Sequence, residues 1–291
     1  MEENQNYSQE NSHTKEKELI VRCLKGDALA FEKLFSKYRP QLLTYFLIRY
    51  ADYFEAEDEV QEVLLKAYQS MPEFSSQDVF SQWLLSIASV FSQSKLKDKT
   101  PWSPDALEIL KEHLMENAAN EKLLQEIYQD YQEDFQIIDH VLFCFIVLTK
   151  TRFADEQESF VLSELFDFSP EDLTKLESLS EKEGKNVEAQ LRETHEDLAE
   201  IYAQRCSLIK RDAPCTQCHD MASWLKGDED AEEQREKLPL HYHEDALDSF
   251  DERLDLIRDR VSQKLSSPKF HQKLFDLLRL AIGEKGAEGE S

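Results

Sequence analysis

Three cysteines and a histidine in the second half of the chain have the residue types and spacing of a metal site. Cys206 is followed by Cys215, Cys218 and His219, and His195 stands upstream of them. Thiolate and imidazole are preferred ligands of zinc, and a Cys-x-x-Cys pair can supply two positions of a tetrahedral site. The pattern predicts a structural zinc site at Cys206, Cys215 and Cys218, with His219 or His195 as the fourth ligand.

The same cysteines have alternative interpretations. Paired cysteines in a reducing compartment are seldom structural disulfides, so a redox-sensitive thiol pair is one alternative to zinc and inert, solvent-facing thiols are another. Residues 215–219 also match the Cys-x-x-Cys-His pattern of c-type haem attachment. Haem attachment requires export, and residues 1–17 are polar without an apolar signal segment. We therefore favour zinc over haem.

A second candidate site is the polar face of a helix predicted around residue 60. Val60 and Val63 lie on its apolar stripe, whereas Asp58, Gln61 and Glu62 share the opposite face. An acidic face beside an apolar stripe can pair with basic groups of a partner while the stripe holds the helix in a bundle. Taken alone, the pattern is typical of a solvated acidic helix face, and a protein-binding role depends on the sequence that flanks it.

The elements that position these residues are predicted to be helices. The chain has only six Gly and eight Pro in 291 residues, a composition that favours helices over tightly turned sheets. Asp27 is placed to cap a helix that runs to about Tyr50, and Ser169 followed by Pro170 starts another. A further helix over about residues 187–202 completes a helix-turn-helix. We expect an all-α protein with very little strand.

The charge of the chain limits its partners. A formal net charge of −26 opposes binding to nucleic acid, but residues 1–98 carry 11 Lys and Arg against 16 Asp and Glu, so most of the acidic excess lies later.

The most apolar stretch, residues 137–148, is shorter than the roughly 20 residues that cross a bilayer. We expect a cytoplasmic protein without membrane insertion. No phosphate loop, His-Glu-x-x-His or nucleophile elbow is present, so we expect no enzyme.

Residues 18–98 resemble the first conserved domain of extracytoplasmic-function sigma factors. The family opens with Leu-Val-x-Arg-x-x-x-Gly-Asp-x-x-Ala-Phe, and residues 19–31 read LIVRCLKGDALAF. The family's Tyr-Arg-Pro and Ala-Glu-Asp-x-Val-Gln-Glu-Val patterns match residues 38–40 and 56–63. The resemblance implies an alternative sigma factor that binds core RNA polymerase and directs promoter-specific initiation. It also implies that the clamp helices of the polymerase are contacted by Asp58, Gln61 and Glu62.

The resemblance continues into the third helix of this domain. Residues 72–74 and 80–88 match the family's promoter-melting region, and single-stranded bases are usually held by stacking and by basic groups. The implied DNA contacts are Trp83, Lys95 and Lys97. Trp83 also lies on the apolar stripe of its helix, where a core position is the alternative.

Residues 135–218 resemble the second conserved domain of a subgroup of the family, which reads the minus-thirty-five element with a helix-turn-helix and ends with Arg-Cys and Cys-x-x-Cys. In such motifs the first turns of the second helix contact bases. Acidic residues such as Glu193 and Glu196 stand where the family usually has basic ones. The alternative is a diverged sigma-like protein that binds polymerase or a regulator without promoter recognition. The candidate DNA contacts are Lys185, Asn186, Gln190 and Arg192.

We predict five segments. They are a disordered tail (1–17), a region-two-like polymerase-binding domain (18–98), a linker that could include one exposed helix (99–134), a region-four-like helix-turn-helix domain with the cysteine cluster (135–219) and an acidic helical extension (220–291).

The extension contains an apolar seam that we expect to pack within the chain or on a partner helix. We hypothesise that its negative charge lowers DNA affinity until an anti-sigma factor or another regulator displaces it. Truncation after Gly227 should then raise promoter-DNA binding at low salt. The seam consists of Leu247, Phe250, Leu254, Ile257 and Val261.

Overall fold

The protein is built from helices in every part that its computed structural model describes, namely residues 14–75, 79–115, 137–176, 186–206, 245–265 and 268–284. No β-strand occurs in these ranges, which confirms the all-α class. None of their helices is long and apolar enough to cross a membrane. The helices are α1 (14–23), α2 (Ala28–Tyr50), α3 (Tyr53–Ser70), α4 (Phe80–Leu96), α5 (Ala106–Met115), α6 (Ile137–Thr149), α7 (Ala154–Phe166), α8 (Pro170–Lys175), α9 (Val187–Arg205), α10 (Ala246–Arg258) and α11 (Pro268–Ile282).

Side-chain caps set the starts of α2 and α3. The Asp27 carboxylate accepts a hydrogen bond from the backbone N–H of Ala30 at 3.1 Å, as its position predicts. Asp52 caps α3 in the same way, by accepting from the N–H of Glu55 at 2.9 Å. Ala51, between the two helices, has a left-handed backbone with φ of 52°. The short link therefore turns the chain sharply, and α3 packs against α2.

Later helices begin at equally local signals. Ser169 and Asp172 form a capping box around the start of α8, with Pro170 at the first helical position. The side chain of Asn186 caps α9 by accepting from the N–H of Ala189 at 3.2 Å. The predicted helix starts at Ser169 and near residue 187 are therefore confirmed.

The first three long helices form one bundle. Helices α2, α3 and α4 all contact one another, with Leu34, Phe46, Val60, Val63 and Leu84 buried between them. This is the bundle that the apolar stripes predict.

The second half of the chain packs on this bundle and on itself. Helix α6 contacts α2, and α7 contacts both α2 and α4. Helices α7, α9 and α10 all contact one another, and the rings of Phe160 in α7 and Phe250 in α10 are parallel to within 12°. Along the seam of the extension, Phe250, Leu254, Ile257 and Val261 are buried, which confirms packing within the chain.

Helix α11 crosses back to the first half. It packs against α5 and α3, and the ring of Phe275 lies 4.8 Å from that of Phe143 in α6. Ala106 and Leu110 of α5 are buried. The linker helix was expected to be exposed. This is wrong for the face of α5 that includes Ala106 and Leu110, because α11 packs on it.

A buried ion pair joins α2 to α7. Arg49 and Glu158 are both fully buried, and Nη2 of Arg49 lies 2.8 Å from Oε2 of Glu158. The hydroxyls of Tyr45 and Ser92 donate to the same carboxylate at 2.5 and 2.9 Å. Because a buried charge is tolerated only when it is paired and hydrogen-bonded, these four side chains act as one unit.

Further hydrogen bonds extend this connection. Arg49 donates through Nη1 to the side-chain oxygen of Gln157 at 2.8 Å, and Gln157 donates to the carbonyl of Ile48 at 3.1 Å. Lys150 donates to the carbonyl of Arg49 at 3.1 Å, and burial, together with the Arg49 charge, lowers the pKa of Lys150 to about 7. The network thus crosses the boundary between the first predicted domain and the second. The domain boundaries themselves stay a prediction.

We expect Glu158→Ala to lower the free energy of unfolding by about 3–5 kcal/mol, because it leaves the Arg49 guanidinium buried without its counter-charge. The double variant Arg49→Met/Glu158→Leu removes both charges and should recover most of that loss. Urea denaturation followed by circular dichroism measures both. If the single variant is as stable as the wild type, the network does not stabilise the packing of α7 on α2.

Candidate functional site

The exposed face of α3 brings together the three residues predicted to bind a partner. Asp58, Gln61 and Glu62 are all exposed, whereas Val60 and Val63 are buried in the bundle. Because residues 61 and 62 lie three and four positions after residue 58, a helix places each of them next to Asp58. The structure therefore has the amphipathic arrangement that the sequence predicts for this surface.

Large apolar side chains lie at the edges of this polar face. Phe54, Leu65 and Tyr68 of α3 are 58%, 57% and 47% exposed. Positions 54, 58, 61 and 65 follow helical spacing, so two polar residues lie between two apolar ones along one surface. An apolar contact with charged groups beside it is typical of a protein interface.

Lys95 of α4 forms ion pairs with two carboxylates of α3. The Lys95 ammonium pairs with the carboxylate of Glu59, which is buried, and lies 3.6 Å from that of Glu55. Partial burial alone would lower the pKa of Lys95, but the two carboxylates raise it. Lys95 therefore remains charged and has partners within the bundle. Its predicted contact with DNA stays a prediction.

The other two predicted contacts on or beside α4 differ in environment. Trp83 is half-buried, with its ring 5.1 Å from Phe74 and 5.4 Å from Phe80. This matches the alternative of a core position. Lys97 follows the last residue of α4 and is exposed.

The four predicted contacts of the helix-turn-helix have different surroundings. Asn186 uses its side-chain oxygen to cap α9, and Gln190 is half-buried. Arg192 is exposed, with Nε 3.9 Å from the carboxylate of Glu196. Lys185 lies outside the described residues.

The exposed surface of α9 and α10 is acidic. On α10, Asp248, Asp251 and Asp255 are exposed, and α10 packs beside α9. Such a surface repels phosphates, whose binding depends on Lys and Arg. The exposed acidic residues of α9 are Glu188, Glu193, Glu196, Asp197 and Glu200.

Comparison with known proteins identifies the domain that contains the α3 surface. Residues 34–100 match the sigma-70 region 2 family. The match covers 67 of the 291 residues of the chain and includes the whole of α3.

Two curated sigma factors are similar to the chain. It is 31% identical over 91 residues to the RNA polymerase sigma-H factor of Pseudomonas aeruginosa, and 37% identical over 70 residues to the ECF RNA polymerase sigma-E factor of Haemophilus influenzae. These stretches are 31% and 24% of this chain, and 47% and 36% of the two relatives, so the chain spans less than half of either. No solved structure matches the chain significantly. The similarity confirms the expected relationship to sigma-70 factors of the extracytoplasmic-function type.

One residue of the region 2 domain that sequence reasoning missed is Asp52, the cap of α3. The spacing of Asp52 and Glu55 is that of a capping box, which was the available signal. The residues of α11 that bind Asp52 have no such signal, because they are more than 200 positions away.

Most of the predicted zinc site lies outside the described residues, because these do not include Cys215, Cys218 and His219. Cys206 is buried, and its Sγ accepts a hydrogen bond from Nη2 of Arg253 at 3.3 Å. This contact excludes a solvent-facing thiol at Cys206. Within the described ranges, no three His, Cys, Asp or Glu side chains form a group that could hold a metal ion.

The candidate alternative ligand His195 already has a partner. Its Nε2 lies 2.9 Å from the carboxylate of Asp251. A zinc-bound histidine commonly donates its other ring N–H to a carboxylate, so this contact leaves Nδ1 of His195 available. Zinc at Cys206, Cys215 and Cys218, with His219 or His195 as the fourth ligand, stays a prediction.

We expect reduced protein purified without chelator to contain about one zinc per chain, because three thiolates and an imidazole complete a tetrahedral site. Cys215→Ser/Cys218→Ser should lose the metal, and Cys23→Ser should retain it because Cys23 is buried in the first half. Elemental analysis measures the ratio. Metal-free wild-type protein with the melting temperature of the metal-treated protein would contradict the site.

Proposed function

We propose that the protein is an alternative sigma factor that binds core RNA polymerase through α3 and directs it to promoters. The observation that carries the proposal is the exposed face of Asp58, Gln61 and Glu62 inside a sigma-70 region 2 domain. The bundle supports this role because it buries the apolar stripe of α3 and leaves the acidic face available to basic groups of a partner. On this proposal the protein has no enzymatic activity and acts in the cytoplasm.

The double charge reversal Asp58→Lys/Glu62→Lys should abolish co-purification with core polymerase, because it places two cations where the partner is expected to present basic groups. Both side chains are exposed, so the fold should be retained. Binding is measured by pull-down with purified core enzyme, and circular dichroism checks the fold.

A matched control lies on α9. Glu193→Lys/Glu196→Lys makes the same change of charge at two exposed positions of the other half and should leave polymerase binding intact. Undiminished binding by Asp58→Lys/Glu62→Lys would sink the assignment of α3. Equal loss in both variants would mean that the total charge of the chain matters more than its position.

A second function has specific support from α9. The exposed acidic residues of this helix oppose contact with DNA phosphates, and Asn186 and Gln190 are engaged or half-buried within the protein. We therefore keep the alternative of a diverged sigma-like protein that binds polymerase or a regulator, such as an anti-sigma factor, without promoter recognition. Transcription from the DNA upstream of the protein's own gene, assayed with purified core enzyme, discriminates between the two functions. Initiation there supports the alternative sigma factor, and binding to polymerase without initiation supports the diverged protein.

The hypothesis that the acidic extension lowers DNA affinity needs a test that keeps the fold. Truncation after Gly227 removes α10 and α11, whose buried residues include Phe250, Leu254 and Phe275. Loss of these side chains would expose the core of α7 and α9. Neutralising exposed acids of α10 changes the charge without removing the helix.

We expect Asp248→Asn/Asp251→Asn/Asp255→Asn to raise binding to promoter DNA at low salt, because it removes three negative charges beside α9. The gain should shrink as salt rises, since screening weakens the repulsion. A fluorescence-anisotropy titration across salt concentrations measures it. If the variant and the wild type bind DNA equally at low salt, the extension is not inhibitory through its charge.

A further inference from the structure

The C-terminal helix α11 makes polar contacts with the corner where α2 ends and α3 begins. Arg279 donates to the carboxylate of Asp52 at 2.7 Å and to the carbonyl of Tyr50 at 2.9 Å. Gln272, seven positions earlier on α11, accepts from the N–H of Tyr53 at 2.5 Å. Two side chains two helical turns apart therefore bind three residues of the corner, Tyr50, Asp52 and Tyr53.

Asp52 connects this contact to α3. Its Oδ1 accepts from the N–H of Glu55 and caps the helix, while its Oδ2 accepts from Arg279 and, at 3.3 Å, from Gln272. A cap satisfies a backbone N–H that the helix leaves unpaired and so fixes its first turn. Arg279 and Gln272 thus hold the group that starts the helix of the docking face.

The carboxylate is in its charged form in this setting. Burial alone would raise the pKa of Asp52, but the hydrogen bond from Glu55 N–H and the Arg279 guanidinium outweigh it and lower the pKa. The Asp52 and Arg279 side chains are 15% and 13% exposed, so water screens their attraction less than that of a surface pair.

The apolar face of α11 is anchored independently of this ion pair, whereas Glu284 also lies 3.9 Å from Nε of Arg279. Leu274, Phe275 and Leu278 are buried, and Trp102 donates from its indole N–H to Glu284, just beyond the helix, at 2.8 Å. Helix α11 therefore remains in place as a rigid support, and Arg279 and Gln272 transmit its position to the corner.

We infer that Arg279 and Gln272 are positioning residues for polymerase docking: through Asp52 they fix the first turn of α3, which carries Phe54 and precedes Asp58. This inference rests on the proposed docking role of α3. The C-terminal extension is on this account a support of the docking surface, separate from any effect of its acidic residues on DNA.

The test compares Arg279→Met, Arg279→Lys and Asp52→Asn in the full-length protein. Arg279→Met should speed amide exchange at Glu55 and Ala56 and weaken core-polymerase binding by about three- to tenfold, the size expected for an impaired cap. Arg279→Lys should restore part of both effects. Asp52→Asn keeps a capping oxygen but removes the charge, so it should weaken binding without unfolding the protein. Amide exchange by mass spectrometry and binding by titration provide the two readouts.

Arg258→Met is the control for loss of an arginine in the extension, since Arg258 contacts Glu164 and Asp255 away from this corner. It should leave exchange at Glu55 and polymerase binding unchanged. The inference is overturned if Arg279→Met and Asp52→Asn show wild-type exchange at Glu55 and Ala56, or bind polymerase as tightly as the wild type while Asp58→Lys/Glu62→Lys does not bind. If instead Asp58→Lys/Glu62→Lys binds normally, the docking role of α3 itself fails, and the exchange data alone decide whether Arg279 holds its first turn.

Discussion

The rest of the structure depends on the buried pair of Arg49 and Glu158. Removing two charges from water is costly, and the cost is offset only because Tyr45, Ser92 and Gln157 complete their hydrogen bonds. Such a network restricts its members to a narrow range of geometries, because each hydrogen bond depends on the positions of the others. It therefore fixes the orientation of α7 on α2 and α4 more narrowly than an apolar contact of the same area would, since apolar side chains can slide and repack.

That constraint joins the two halves of the chain. The bundle of α2, α3 and α4 lies on one side of the junction, and α7 lies on the other. Contacts within the protein therefore set the position of one half relative to the other. In the second half, the exposed surface of α9 is acidic, with Glu193 and Glu196 among its residues, and such a surface repels phosphates.

Local features of the fold could be predicted from the sequence, and distant ones could not. Asp27, Ser169 and Asn186 start helices because a cap needs only a side chain and the next three residues. The face of Asp58, Gln61 and Glu62 followed from helical period alone. In contrast, Glu158 gives no sign in the sequence that its partner is Arg49, since a contact across more than 100 residues leaves no periodic pattern. The burial of α5 was missed for the same reason: its cover, α11, comes from the far end of the chain.

The bond between Arg279 and Asp52 joins positions 227 residues apart, and this has a consequence for synthesis. Residues 28–70 leave the ribosome early and contain the apolar stripes needed to pair α2 with α3. The cap of α3, however, gains its arginine only after nearly the whole chain has been translated. A nascent chain, or one shortened by a protease at its C-terminus, carries the acidic face of α3 without the support that completes its first turn. An intact α11 is thus a condition for a fully supported first turn of α3.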